Sequence, residues 1–389
     1  MKFIRASLLS LPALAAALLF CLPAGLPAVP VSPSATGDLP AETADYKLPA
    51  LDHPDSWSIV LFPDIQAYIR YDRNYGLLDI MNTWVVENIP ALNIQFALFS
   101  GDLVNDNERL YRHLQETPLG VRPALTSPEQ WAACARAFGR LDHKLPYVTC
   151  TGNHDYGYYP GNAQNRDSGF PEYFPANKNP LNLPHIVATA KNARGAASLE
   201  NAAFEFTPPG GRKLLVVSLE YAPRDEIIEW AGQLCGDPLY ENHTVIILTH
   251  AYLHNLAKKS VRLKGAAKKL PGANDGEAIW EKLVKPSRNI QLVICGHIAA
   301  PEKVNSHIGF RVDRNAAGRR VNQMLFNAQA LGGGWRGNGG DGWLRWLEFY
   351  PDNKTVKVKT FSPLFAISPA TRHLAWRKDK NDEFTFELD

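Results

Sequence analysis

The chain has 389 residues, 45% of them hydrophobic, enough for a large buried core and more than one domain. A formal net charge of +2 excludes a strongly basic or acidic surface, so bulk charge points to neither nucleic acid nor an anionic membrane. Lys2 and Arg5 are the only charges in residues 1–28, and without that segment the chain is balanced.

In chain order, Lys2 and Arg5 precede an apolar run to about Ala28, the pattern of a signal peptide over residues 1–28. Pro12, Pro23 and Pro27 disfavour a stable spanning helix. Cleavage is expected near Ala24 or Ala28; the alternatives are an uncleaved anchor and a lipoprotein attached through Cys21. The expected location is periplasmic or secreted. Residues 29–54 read as a Pro/Ala-rich linker, residues 55–365 as the main domain, and 366–389 as a tail that can add a strand.

Within the main domain, apolar runs alternate with helical patterns. Strands are expected at Ser58–Phe62, Ile94–Phe99, Pro146–Cys150, Lys213–Ser218, His243–Leu248 and Ile290–Cys295. Helices are expected at about Leu77–Asn88, Ser127–Leu141, Asp225–Leu234 and Gly276–Leu283, the second capped by Ser127 with Pro128 in its first turn. Continuous apolar strands between helices predict an α/β protein whose sheet is buried on both faces. Trp343–Tyr350 and Thr355–Phe361 flank the turn Pro351–Lys354, a hairpin, so a mixed sheet or two packed sheets fits better than a purely parallel one. Tyr156–Arg194 is long, irregular and rich in Tyr, Asn, Gly and Pro, as functional loops are. Outside the signal there are four cysteines; Cys150 and Cys295 end apolar strands and read as buried free thiols.

A polar cluster follows each of five strands: Asp64-Ile-Gln66, Gly101-Asp102, Gly152-Asn-His-Asp155, Thr249-His250 and Gly296-His297. Each alone is ordinary, since Asp after Gly is a common turn and a strand-end His is usually a satisfied polar residue. Ligands of open α/β sheets gather at the carboxyl ends of the strands, so these clusters can converge although they span more than two hundred residues. Carboxylate, amide oxygen and imidazole are metal-ligand groups. Two divalent ions about 3.5–4 Å apart can clamp a phosphoryl group and activate water, with no nucleophilic side chain required. Consistently, the chain lacks G-x-S-x-G, H-E-x-x-H and a Walker A loop.

The series resembles the calcineurin-like metallophosphoesterases, the superfamily of purple acid phosphatases and cyclic-nucleotide phosphodiesterases, over roughly residues 56–364. Their pattern is D-x-H, G-D, G-N-H-D/E, a later His, and G-H-x-H. The resemblance implies an α-β-β-α sandwich of two mixed sheets flanked by helices. It implies that Asp102 bridges two metals, that Asp64 binds the first, and that Asn153, His250 and His297 bind the second. His154 is then the general acid or a donor to phosphate, oriented by Asp155. Two positions depart from the pattern: Gln66 replaces the His of D-x-H, and Ala299 replaces the last His of G-H-x-H. Both histidines would serve the first metal. The first site is therefore expected to be weaker or differently loaded, with Gln66 and Asn105 (or Asp106) as compensating ligands. An oxygen-rich set favours Mn²⁺ or Mg²⁺ over Zn²⁺, though Fe and Zn stay open.

Other features carry weaker expectations. His254 would approach His250 if the chain continued as helix. Gly332–Gly337 fits G-x-G-x-x-G but precedes a strand, so it reads as a loop at the mouth of the site. The basic stretch Lys258–Lys269 can attract an anion or be a solvated loop, and Tyr156, Tyr158 and Tyr159 can stack on a substrate or pack the loop. The expected function is an exported metal-dependent phosphoesterase acting on a small phosphorylated substrate, monoester or diester. The alternatives are a non-catalytic metal-containing protein that binds phosphorylated glycan or nucleotide ligands, and a structural envelope protein.

Overall fold

The computed structural model describes residues 46–110, 114–117, 120–256, 259–265, 270–299, 307–334 and 337–389. The chain divides into Met1–Ala41 and Glu42–Asp389, and the described residues all belong to the second unit. The expected signal peptide lies outside them. Among the described residues no helix is long and apolar enough to cross a membrane.

Two seven-stranded sheets face each other. In the first, Trp57–Phe62, Ile94–Phe99 and Tyr147–Thr149 run parallel. Leu344–Phe349 joins Trp57–Phe62 antiparallel and carries Thr355–Phe361 on its far side. The short strands Trp376–Arg377 and Phe384–Glu387, both from residues 366–389, close that edge. In the second sheet, Leu214–Ser218, Thr244–Leu248, Ile290–Cys295 and Arg320–Phe326 run parallel. Its edges are antiparallel: Ala197–Phe206 and then Ile186–Lys191 on one side, Ile308–Arg314 on the other.

Side-chain alternation decides the layers. Ile59, Leu61, Phe96 and Leu98 point from the first sheet toward Val216, Ile246, Leu292 and Ile294 of the second. Val60, Phe62, Ala97 and Phe99 point the other way, onto the helices Asp72–Asn88 and Ser127–Phe138. On the second sheet's outer face, Leu215, Val217, Val245 and Val293 meet helix Asp225–Gly236 and the Gly276–Ile279 helix with its π turn Trp280–Val284. Because the central strands are buried on both faces, most of them, such as Ile290–Cys295 and Thr244–Leu248, are nearly continuous apolar runs rather than alternating. Each Ile or Leu fully withdrawn from water stabilises the sandwich by about 1.5–3 kcal/mol. Two mixed sheets between helical layers form the sandwich expected from the resemblance.

Several boundaries differ from expectation for local reasons. Thr126, not Ser127, caps the Ser127–Phe138 helix: the Glu129 carboxylate accepts from both the backbone N–H and the hydroxyl of Thr126, each at 2.8 Å. The first long helix starts at Asp72, a turn before the apolar pattern begins. Tyr156–Arg194 contains the short helix Phe170–Tyr173, a 3₁₀ segment Pro180–His185 and the edge strand Ile186–Lys191. The end of the expected 29–54 linker is held against the first sheet. Lys359 Nζ donates to Asp52 and to buried Glu348, and Glu348 accepts from the Asp52 backbone. All four cysteines are free and buried.

Candidate metal centre

Asp64, Asp102, Asn153, His250 and His297 each follow a parallel strand, and the sandwich brings all five together at the strands' carboxyl ends. Two of them need unusual backbone: Asp102 (φ 50°) and His297 (φ 71°) are left-handed, and Gly101 before Asp102 has φ 94°. Such conformations cost free energy in a non-glycine residue and concentrate at functional sites. The approach is also tight. A Cβ on Gly152 would lie 2.1 Å from Asp102 Oδ1, and one on Gly296 would lie 2.1 Å from Asp64 Oδ1.

The imidazole side of the site is built around His250. Its Nδ1 donates to the Ser100 carbonyl at 2.7 Å, which leaves the Nε2 lone pair free to face inward. That Nε2 lies 3.0 Å from Asn153 Oδ1, 3.1 Å from His297 Nδ1 and 3.3 Å from Asp102 Oδ1. His297 Nδ1 in turn lies 2.7 Å from Asn153 Oδ1. The Asn153 amide is oriented by its other end, Nδ2 donating to the Gly161 carbonyl at 2.9 Å. Four of the six edges among these donors are thus 2.7–3.3 Å, near the spacing of ligands about 2.0–2.2 Å from a common cation. Among the described residues, Asp64, Asp102 and His250 also form a group whose ligand atoms lie within 4.8 Å of one another.

Electrostatics shows what the cluster lacks. Burial pushes Asp102 up, but the charges of His250 and His154 outweigh it and hold the carboxyl below the usual range. Burial and the Asp102 charge push Asp64 up to about 8 against the pull of His250. His250 rises to about 9: burial opposes its charge, yet the Asp102 and Asp64 carboxylates prevail. Burial and the adjacent His250 charge drive His297 down to about 3. The clustered carboxylates favour positive charge at their centre, which a divalent cation held by His250, His297, Asn153 and Asp102 would supply.

The other side of Asp102 is built from amides. Gln66 Nε2 donates to Asp102 Oδ2 at 2.9 Å. Asp64 Oδ2 accepts from Asn327 Nδ2 at 2.6 Å, from the His297 backbone at 2.9 Å and from Gln329 Nε2 at 3.2 Å, while Oδ1 accepts from Ser100 Oγ at 3.0 Å. Asp64 approaches His250 only at Nδ1, 3.9 Å away, the nitrogen already bonded to Ser100. Asn327 and Gln329 escaped the sequence reading. They obey the same rule as the other clusters, since they follow the strand Arg320–Phe326.

His154 sits at the wall of a cavity of about 290 Å³ shared with Gln66, Arg70, Asn105 and Gln329. Its backbone N–H donates to Asp102 Oδ1 at 2.9 Å, and its Nδ1 donates to the Asn105 carbonyl at 2.8 Å. The role expected for Asp155 therefore needs correction: the Asn105 carbonyl orients His154. Asp155 is fully buried and accepts from the Leu103 and Val104 backbones at 2.8 and 3.0 Å and from Gly152 at 2.7 Å. It pins the Asp102 loop to the Asn153 loop. Asn105 contributes its carbonyl here, while its side-chain Nδ2 donates to Asp106, which Gln130 and Arg109 also hold.

Other expectations resolve simply. His254 lies in the strand Leu253–Leu256, so no helix carries it back toward His250. Tyr156 is buried and donates to Glu200 at 2.6 Å, a packing role, whereas Tyr158 and Tyr159 are 55% and 59% exposed. In the basic stretch, Arg262 pairs with Glu277 and Asp313; Lys258, Lys268 and Lys269 lie outside the described residues. Gly339, just past the glycine-rich segment, abuts the Tyr68 ring beside the site; Trp335 and Arg336 lie outside the described residues.

Residues 58–301 match the model of the calcineurin-like phosphoesterase family. The chain belongs to that family. Calcineurin-like phosphoesterases are typically metal-dependent hydrolases with a dinuclear centre. The uncharacterized protein YvnB of Bacillus subtilis (strain 168) is 25% identical over 346 residues; the match covers 86% of this chain and 22% of YvnB, so the chain spans about a fifth of that relative's length. Among solved structures, GAP50, the anchor in the inner membrane complex of Plasmodium, aligns with a TM-score of 0.43 at 11% identity, over 86% of this chain and 89% of that one. The sulfate thiohydrolase SoxB of Thermus thermophilus gives 0.30 at 14% identity, over 72% and 58%. At those scores neither structure bears on function.

Proposed function

We propose that the protein is an exported phosphoesterase that hydrolyses small phosphomonoesters or phosphodiesters. The observation that carries this reading is His154, held by Asn105 at the cavity wall with its backbone tied to Asp102. A divalent cation on His250, His297, Asn153 and Asp102 would supply a Lewis acid and lower the pKa of a water. The chain's own residues do the rest. With Nδ1 bonded to a carbonyl, a protonated His154 has Nε2–H to give to the departing alkoxide. Arg70 lines the same cavity, and its buried Nε has no hydrogen-bond acceptor among the described residues. It fits a charge-assisted bond to an ester oxygen. Export rests on residues 1–28 alone, and recovery of the native protein from the cytoplasm with those residues intact would remove that part of the reading.

The test is hydrolysis of an aryl phosphomonoester and an aryl phosphodiester with Mn²⁺, Fe²⁺, Zn²⁺ or Mg²⁺. Turnover abolished by chelator and by His154→Ala is the expected result. A second reading, a metal-containing binding protein for phosphorylated glycans or nucleotides, is favoured by the amide donors that stand where the family pattern has imidazoles. Cation binding with no turnover of either ester would select it.

A further inference from the structure

We infer that this centre holds one divalent cation, and that the side-chain amides of Gln66, Asn327 and Gln329 stand in place of a second. The inference rests on the reading of His250, His297, Asn153 and Asp102 as a cation site.

A carboxylate that bridges two ions must present a free lone pair to each. Asp102 Oδ1 accepts the His154 backbone N–H with one lone pair and turns the other toward the His250 side, whereas Oδ2 takes an amide N–H, at 2.9 Å, from Gln66, the position where the family pattern has a histidine for the other ion. A terminal carboxylate ligand needs at least one open oxygen. Asp64 Oδ2 already accepts three N–H donors, and Oδ1 takes the Ser100 hydroxyl while lying against the Gly296 backbone. The donor identity of Asn327 is set independently, because its Oδ1 accepts from the Gln329 backbone N–H at 3.1 Å and so turns Nδ2 toward Asp64. The two histidines that would complete the other site are Gln66 and Ala299. Amide N–H groups carry partial positive charge, so they compensate part of a buried carboxylate's charge where an ion would otherwise stand.

The amide oxygens give a second observation. Among the described residues, Gln66 Oε1 and Gln329 Oε1 are buried and accept no hydrogen bond, and both residues line the His154 cavity. Each amide gives its nitrogen to a carboxylate, Gln66 to Asp102 and Gln329 to Asp64. A cation placed against the amide oxygens would meet carboxylate oxygens that already accept the same amides' N–H groups. The amide oxygens are suited instead to accept from a hydroxyl or water in the cavity, which would satisfy two buried acceptors.

The experiment uses the full chain, loaded with Mn²⁺ and dialysed, with manganese counted per chain and the electron paramagnetic resonance spectrum recorded. The expected result is one ion giving the hyperfine sextet of an isolated Mn²⁺, lost in His297→Ala. Two ions with the denser multiline spectrum of a coupled pair would overturn the inference, because the amides must then turn their oxygens to metal. No retained ion, or an ion that His297→Ala leaves in place, would overturn it as well. Turnover is assayed separately. One ion without turnover sinks the phosphoesterase reading and leaves this inference standing; two ions with turnover does the reverse.

Discussion

The two sides of Asp102 are made by the same rule and come out chemically opposite. On one side, strand ends deliver His250, His297 and Asn153, whose lone pairs point at a common centre. On the other, strand ends deliver Gln66, Asn327 and Gln329, whose N–H groups point at carboxylates. A lone pair beside a carboxylate needs a cation, whereas an N–H beside a carboxylate supplies part of that positive charge itself. Strand-end topology therefore chooses where polar groups meet, and the residue type at each position chooses whether metal is wanted there.

The largest effects should lie on the imidazole side. His297→Ala should take turnover of an aryl phosphate to background together with the loss of bound metal. His154→Ala should keep the metal and lose about 10²–10⁴-fold in kcat, the usual worth of a positioned acid. Metal analysis and steady-state kinetics on the same preparations check both. Equal loss of metal in the two variants would mean that His154 is part of the cation site rather than beside it.

Next in size is the link between the loops that carry the two sides. Asp155→Ala strands the Leu103, Val104 and Gly152 N–H groups in a water-free interior. At about 1–3 kcal/mol for each unpaired donor, the loss should be roughly 3 kcal/mol or more, read as a lower urea midpoint at unchanged m-value. A stability change under 1 kcal/mol, a threshold well below the usual cost of even one buried unpaired donor, would show that water reaches those groups. Removing the metal should cost somewhat less. Saturation at a hundred times Kd adds about 2.7 kcal/mol to the folded state, so chelation should lower Tm, and the shift should vanish in His297→Ala.

The imidazole side was legible in the sequence because its strands are uninterrupted apolar runs. Ile290–Cys295 and Thr244–Leu248 end abruptly, and whatever polar residue comes next stands out. The amide side was legible only at Gln66. The strand before Asn327 reads Arg-Val-Asn-Gln-Met-Leu-Phe, and its buried Asn322 and Gln323 hide it among polar segments. Asn322 is satisfied by the Glu387 carbonyl, 65 residues on, and Gln323 by Asp313 of the neighbouring strand, pairings that hydrophobic periodicity does not announce. The role of Asp155 was hidden for the same reason. Its neighbour His154 invites a pairing, while its actual partners are about fifty residues away.

The smallest effect at neutral pH concerns His307, which stands behind the amide side: its carbonyl accepts the Asn327 backbone N–H at 2.8 Å. Burial, aided by the Arg377 and Arg345 charges, drives its imidazole down to about 3. An unfolded His titrates near 6.5, so between those values the unfolded chain holds a proton that the native state refuses. Stability from this group is therefore complete above about pH 6.5 and is lost as pH falls toward 3, with a slope of at most about 1.4 kcal/mol per pH unit. Asp64 and Asp155, both raised to about 8, act in the opposite sense across the metal-free site, since there the native state holds the extra proton. Their contribution cancels when His307→Gln is compared with the parent protein. The difference in unfolding free energy between the two should tilt with pH from 6.5 downward. A flat difference would mean that His307 reaches solvent and that the amide side is not sealed behind Asn327.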